Sequence, residues 1–154
     1  AEHERLQLML ERVGTELGSE KMLEDAKNAL PLDLDIVLFV HFPEEDSYEM
    51  LIVEVKEKSR VGLMNYSQLT GYCLVSKAKY GLLVNVDGGM SRELQDILEY
   101  RKDLSSFSRS SNEGNIKHLF GVYEWESSSK ALKRKNVGSI SSIPRLAEKI
   151  SESR

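Results

Sequence analysis

Apolar residues recur at Leu6, Met9, Leu10, Val13 and Leu17, a three-and-four spacing that predicts an amphipathic helix from Glu2 to Leu17. Gly18 followed by Ser19 reads as a helix stop and a new N-cap, and Met22, Leu23, Ala26, Ala29 and Leu30 carry a helical stripe on to Pro31. This first segment is one helix or two. The period then changes. Leu34 to Phe42 and Tyr48 to Lys56 are dense in Ile, Val, Leu and Phe and flank the polar run Pro43-Glu44-Glu45-Asp46-Ser47, which predicts a β-hairpin.

Leu63 to Ala78 is poor in β-branched residues and reads as helix, although Gly71 within it costs about 1 kcal/mol against alanine, a hint of close packing. Tyr80 to Val86 is a short apolar strand ending at Asp87-Gly88-Gly89, after which Ser91 caps a helix carrying Leu94, Ile97, Leu98 and Leu104. The serines between Ser105 and Asn115 offer little to bury and predict a flexible loop. His118 to Glu126 and Ala131 to Val137 predict a second hairpin, and Pro144 opens a closing helix to Ile150. The expected organisation is one domain over 1–154, with a core at about 5–104, a Ser-rich loop at 105–115, and a C-terminal hairpin and helix over 118–152.

Composition narrows this little. With 40% hydrophobic and 30% charged residues the 154-residue chain is ordinary for a globular domain. No apolar run reaches the roughly 18 residues that span a bilayer, and no signal-peptide core opens the chain, so a cytoplasmic protein without a membrane partner is expected. One cysteine, Cys73, excludes an internal disulfide and a cysteine-built metal cluster. The net charge of −4 weighs against indiscriminate binding of nucleic acid, but cations do cluster at Lys56, Lys58 and Arg60, at Lys77 and Lys79, and at Lys130, Lys133, Arg134 and Lys135.

The hairpin makes a geometric prediction. The midpoint between Asp35 and Glu54 falls inside the turn, so the two should lie opposite one another on neighbouring strands, with Cβ atoms about 4.5 to 5.5 Å apart. Alternation puts Glu54 and Lys56 on one face and turns Val55 the other way. Paired carboxylates repel unless a cation lies between them, and hard oxygen ligands suit Mg²⁺ or Mn²⁺. With an ammonium group beside them they are suited to phosphodiester hydrolysis. Spacing alone equally describes an exposed alternating strand face that happens to carry these charges.

A resemblance bears on that choice. Leu34-Asp35-Ile36-Val37 followed by Ile52-Val53-Glu54-Val55-Lys56 resembles the motif core of the PD-(D/E)XK nuclease superfamily, with leucine where many members have proline. Gln68-Leu69-Thr70-Gly71-Tyr72 is similar to the Q-x-x-x-Y helix of RecB-like nucleases and of the N-terminal nuclease domain of type I restriction enzymes, and Gly81-Leu82-Leu83-Val84-Asn85 looks like the strand that follows it. The resemblance covers about residues 5 to 86. It implies a restriction-endonuclease-like αβββαβ-type core with a mixed central sheet flanked by helices, and a Mg²⁺-dependent (or Mn²⁺-dependent) DNA nuclease. In it Asp35, Glu54 and the Val55 carbonyl ligate the metal, Lys56 is the catalytic lysine, and Gln68 and Tyr72 support the site or the DNA. A non-cleaving nucleic-acid-binding or partner-binding module on the same fold is the alternative, and a homodimer or a larger helicase/nuclease assembly would be the setting.

Many members add an acidic residue from the first helix. Glu16, about 80° from the centre of the apolar stripe at 100° per residue, fits best here, with Glu11 or Glu20 as alternatives. His3, His41 and His118 have no metal-ligand spacing and read as surface or core residues. Cys73 reads as a packed small hydrophobe, Glu44 to Asp46 as a solvated hairpin tip, and Trp125 with Tyr123 as core packing or a base-stacking platform.

Overall fold

The structure is a computed structural model that describes residues 4–111, 114–133 and 136–153. Among these residues it is an α/β fold with five α-helices flanking a mixed sheet. A short strand β1 (Glu4–Arg5) pairs with β2 (Asp33–Leu34), so the helical stripe expected from Glu2 begins only at Leu6. Helices α1 (Leu6–Leu17) and α2 (Glu20–Asn28) are separate, because Gly18 takes the left-handed conformation and the Ser19 hydroxyl accepts from the Met22 amide. The hairpin strands are β3 (Ile36–Phe42) and β4 (Ser47–Glu57). Helix α3 (Leu63–Ser76), strand β5 (Tyr80–Val86) and helix α4 (Arg92–Tyr100) follow, the last capped by Ser91 as predicted.

Three expectations are corrected beyond this point. Ser106–Ser111, within the segment expected to be a loop, is strand β6, paired with β7 (Gly114–Glu126). Its burial comes from Phe107, whose ring stacks on Phe120 at 5.2 Å and lies 5.1 Å from the His118 ring. A ladder partner and one aromatic anchor outweigh serine-rich composition. Leu104 lies exposed in a 3-10 turn, Lys102–Ser105, rather than on the face of α4. The second hairpin is reduced to two short strands on β7, β8 (Ala131–Leu132) and β9 (Val137–Gly138), before α5 (Ile143–Glu152).

The main sheet runs β3-β4-β5-β7-β6, with β4, β5 and β7 mutually parallel and β3 and β6 antiparallel at its two edges. Helices α1 to α4 cover one face, where Leu6, Leu10, Met22, Leu69 and Leu94 close over Ile52, Leu83 and Phe120. Helix α5 covers the other through Leu146, against Leu51, Tyr80, Leu82 and Tyr123. Strand alternation sorts β4 between these cores, with Met50 and Ile52 under the four helices and Leu51 and Val53 under α5. Among the described residues no helix is long and apolar enough to cross a membrane.

Candidate active site

Hairpin register determines the site. Ile36 lies opposite Val53, and one further step of that register brings Asp35 opposite Glu54 at the open end of the ribbon. Glu54 continues the face of Met50 and Ile52, and Asp35 continues that of Val37 and Phe39, so both carboxylates belong to the face covered by α1 to α4. The Val55 amide donates to Asp35 Oδ2 at 2.8 Å. The N–H and C=O of one strand residue point to the same side, so the Val55 carbonyl is turned toward the Asp35 side as well.

Lys56 completes the group, its Nζ donating to Glu54 Oε1 at 2.5 Å. The Glu54 side chain is 5% exposed and that of Lys56 27%, so this ion pair is largely out of water. Burial pulls the Lys56 ammonium down, but the Glu54 hydrogen bond and charge, with Asp35 and Tyr72 acting in the same direction, hold it above its ordinary value. Lys56 therefore senses both carboxylates and stays charged. Tyr72 acts on it electrostatically from α3, where Gln68 Nε2 donates to the Tyr72 hydroxyl at 2.8 Å across one helical turn. Leu69 and Cys73, both fully buried, fix the rotation of α3 that turns this pair to the rim.

The structure does not bring an acid from the first helices to the pair. Glu11, Glu16 and Glu20 are all exposed, and among the described residues no three of His, Cys, Asp and Glu come together as a metal-holding group. The cause is the rotation of α1. Its Gly14 packs against α2 so tightly that a Cβ there would lie 2.9 Å from the Met22 Cβ, and this contact turns Glu16 outward.

Other sequence candidates have structural roles. Cys73 is buried against the Tyr80 carbonyl, and burial pushes its thiol up to about 12, which leaves it protonated and inert. His118 is buried with Nδ1 2.7 Å from the Ala78 carbonyl oxygen, which makes Nδ1 the protonated nitrogen. His3, Arg134 and Lys135 lie outside the described residues. Asp46 is no solvated tip, for its carboxylate accepts from Ser19 Oγ at 2.6 Å and from the Lys21 amide at 3.1 Å.

Sequence reasoning passed over Asn85. Fully buried, its amide donates to the Ser59 carbonyl at 2.5 Å while its oxygen accepts from the Gly88 and Gly89 amides. It thereby ties together the loops that follow β4 and β5. The signal was present, since a polar residue two places after Leu83 falls on an inward-facing position. No protein-family profile matches the chain, and no curated protein or solved structure matches it either.

Proposed function

We propose that this chain is a divalent-metal-dependent nuclease of the PD-(D/E)XK type that hydrolyses phosphodiester bonds in DNA. The observation that carries the reading is the Ile36-to-Val53 register, which sets Asp35 across from Glu54 with Lys56 on the same face. A chance occurrence of an aspartate followed at a distance by E-x-K on a solvated strand would not leave Glu54 in the interior with an ammonium as its partner. The order helix, antiparallel ribbon, helix, parallel strand, with Gln68 and Tyr72 hydrogen-bonded above the ribbon, is consistent with the same family.

The donor set fits Mg²⁺ or Mn²⁺: Asp35, Glu54 and the Val55 carbonyl are hard oxygens, and Mg²⁺ keeps its remaining positions for water and phosphate. Such an ion would supply Lewis-acid polarisation of a phosphate oxygen. This chain's own residues do the rest. The Val55 amide orients the Asp35 carboxylate by holding one of its oxygens. Lys56 keeps a permanent positive charge where the phosphorus centre gains negative charge on attack, an arrangement that needs no reorganisation at that moment. Tyr72, its hydroxyl held by Gln68, adds to the field that keeps the Lys56 ammonium charged.

The test is cleavage of plasmid and oligonucleotide DNA with Mg²⁺ or Mn²⁺. Glu54→Ala and Lys56→Ala should each lose at least about a hundredfold in rate, the scale of one electrostatic contact to the transition state. Activity unchanged in Lys56→Ala removes the mechanism. A non-cleaving binding module is the second reading, favoured by the way Lys56 neutralises Glu54 without any ion and by the net charge of −4. Salt-sensitive DNA binding with no turnover in any divalent metal would establish it.

A further inference from the structure

The two edges of the main sheet differ in chemistry. Strand β6 closes one edge with four serines, Phe107 and Arg109, a polar border that discourages further pairing. Strand β3 closes the other with Ile36, Val37, Leu38, Phe39, Val40, His41 and Phe42, seven residues in an unbroken ladder with β4 and without a carboxylate, lysine, arginine, proline or bulge. Among the described residues no strand pairs with its outer side. A flat apolar edge offers a row of backbone donors and acceptors to another strand, and proteins that keep such an edge single charge it or break it.

The core under α5 also stops short at this edge. Leu51 and Val53 are 4% and 8% exposed, whereas their ladder partners Leu38 and Ile36 are 50% and 44% exposed. The apolar rows of the sheet therefore run out into water at their last strand.

We infer that β3 pairs with β3 of a second copy of this chain, antiparallel about a two-fold axis at Phe39, so that two sheets become one. The inference holds whether or not the chain cuts DNA. This register matches all seven residues. Ile36 faces Phe42 of the second copy, Val37 faces its His41, Leu38 faces its Val40, and Phe39 faces Phe39. Paired positions share a face with Cβ atoms about 4.5 to 5.5 Å apart, so both half-exposed side chains gain an apolar neighbour. The contact is the same on each copy and closes at two, whereas β3 against β6 would propagate as a filament.

Charge at the strand ends favours the same partner. Antiparallel pairing carries the hairpin tip of each copy, with the exposed Glu44 and Glu45, to the end of the other β3, where Arg5 pairs with Asp33. The Arg5 side chain is 64% exposed and stands 3.9 Å from the Asp33 carboxylate, while Glu4 is held by Arg12 at 2.9 Å, so a guanidinium is open there to a second carboxylate. The paired strip is about 23 Å long and, at a sheet spacing of about 10 Å, roughly 230 Å² in cross-section on each copy. That lies below the roughly 800 Å² per partner of a stable interface, so the dimer is weak and concentration-dependent.

Sedimentation of the chain across a concentration series is the test, with a monomer–dimer equilibrium expected. Leu38→Lys places an ammonium against the apolar side chains of the second copy and should weaken the dimer at least about tenfold. Arg5→Glu should weaken it about twofold to fivefold, the scale of an exposed ion pair, and Glu45→Arg in that background should restore it. Both Leu38 and Arg5 are half-exposed or more, and a thermal melt verifies that each variant is folded. Oxidation reads the register, because the sole cysteine, Cys73, is buried and an introduced thiol is the reactive one. Phe39→Cys sits on the axis and should give a disulfide dimer, whereas Ile36→Cys, about 20 Å from its own counterpart, should not. A chain monomeric at every concentration, which would leave the edge to a different strand, overturns the inference. So does a dimer indifferent to Leu38→Lys and Arg5→Glu, or one that Ile36→Cys cross-links in place of Phe39→Cys.

Discussion

Replacing Lys56 by methionine tests the electrostatic logic of the site without requiring a substrate. Glu54 is buried with Lys56 as its hydrogen-bonding cation, so Lys56→Met leaves a carboxylate uncompensated in the interior. Breaking a fully buried pair costs about 3–5 kcal/mol; Lys56 is partly exposed, and water that relaxes around it reduces this to about 2–3 kcal/mol. For a chain of this size that corresponds to a fall in Tm of roughly 4–12 °C. Metal should reverse it. With Lys56 gone, an ion at Asp35 and Glu54 would replace the positive charge that Glu54 has lost, and Mg²⁺ at a hundred times its Kd returns about 2.7 kcal/mol. Thermal melts of parent and variant in chelator and in a Mg²⁺ series supply all four quantities. The variant should melt lower in chelator, gain more from Mg²⁺ than the parent, and remain inactive. Equal melting temperatures in chelator, or no response to Mg²⁺ or Mn²⁺ in either protein, would refute the argument that these carboxylates are arranged for a cation.

Two glycines should respond in opposite directions. A Cβ at Gly71 in α3 meets nothing within 4 Å, so Gly71→Ala should stabilise by about 0.5–1 kcal/mol. A Cβ at Gly81 would lie 2.8 Å from Phe120 and 2.9 Å from the Cys73 sulfur, and Gly81→Ala should cost about 1–3 kcal/mol by denaturant titration. Burial lowers the His118 pKa, the Ala78 carbonyl opposes this, and the charge of Arg109 adds to the lowering. The unfolded chain therefore takes up a proton that the folded chain refuses. This contribution to stability is complete above pH of about 6.5 and is lost as pH falls from there toward the lowered folded value, by up to about 1.4 kcal/mol per pH unit. Stability measured between pH 7.5 and 5 should fall less steeply in His118→Gln, and equal slopes would contradict the assignment. Asp46→Ala removes the acceptor of the Ser19 hydroxyl and the Lys21 amide and should lower Tm, with loss of helical circular dichroism from α2 as the specific signature.

What was legible in the sequence follows from which forces are local. The ends of α1 and α2 were readable because a left-handed glycine and a serine cap act over three residues. The hairpin register was readable because the short polar run between the two apolar runs marks the turn, and the position of the turn sets which residues face one another. Glu16 was misplaced because the rotation of α1 depends on a Gly14–Met22 contact with another helix, which no periodicity within α1 encodes. Gly71 hinted at close packing that is not there, since it lies over open space, whereas the tight contacts belong to Gly14, Gly81 and Gly88. The strand Ser106–Ser111 was hidden because what orders it is pairing with β7 rather than its own composition, and only Phe107 marked it as having something to bury.

The same accounting explains why the site needs the far end of the hairpin. A shift of one residue between β3 and β4 would move one carboxylate to the α5 face and separate Asp35 from Glu54. Along the ribbon itself the paired positions Ile36 to Phe42 and Ser47 to Val53 are mostly apolar on both faces, so side-chain burial alone discriminates weakly between registers. The polar anchors supply the difference. Asp46 fastens the turn to the N-terminus of α2, and Tyr48 donates to Asp25 on the same helix at 2.8 Å. At the other end the Val55 amide reads the position of Asp35 directly. The residues that hold Asp35 against Glu54 are thus spread along the whole ribbon, and the turn that looked like solvated charge in the sequence is one of the places where that alignment is decided.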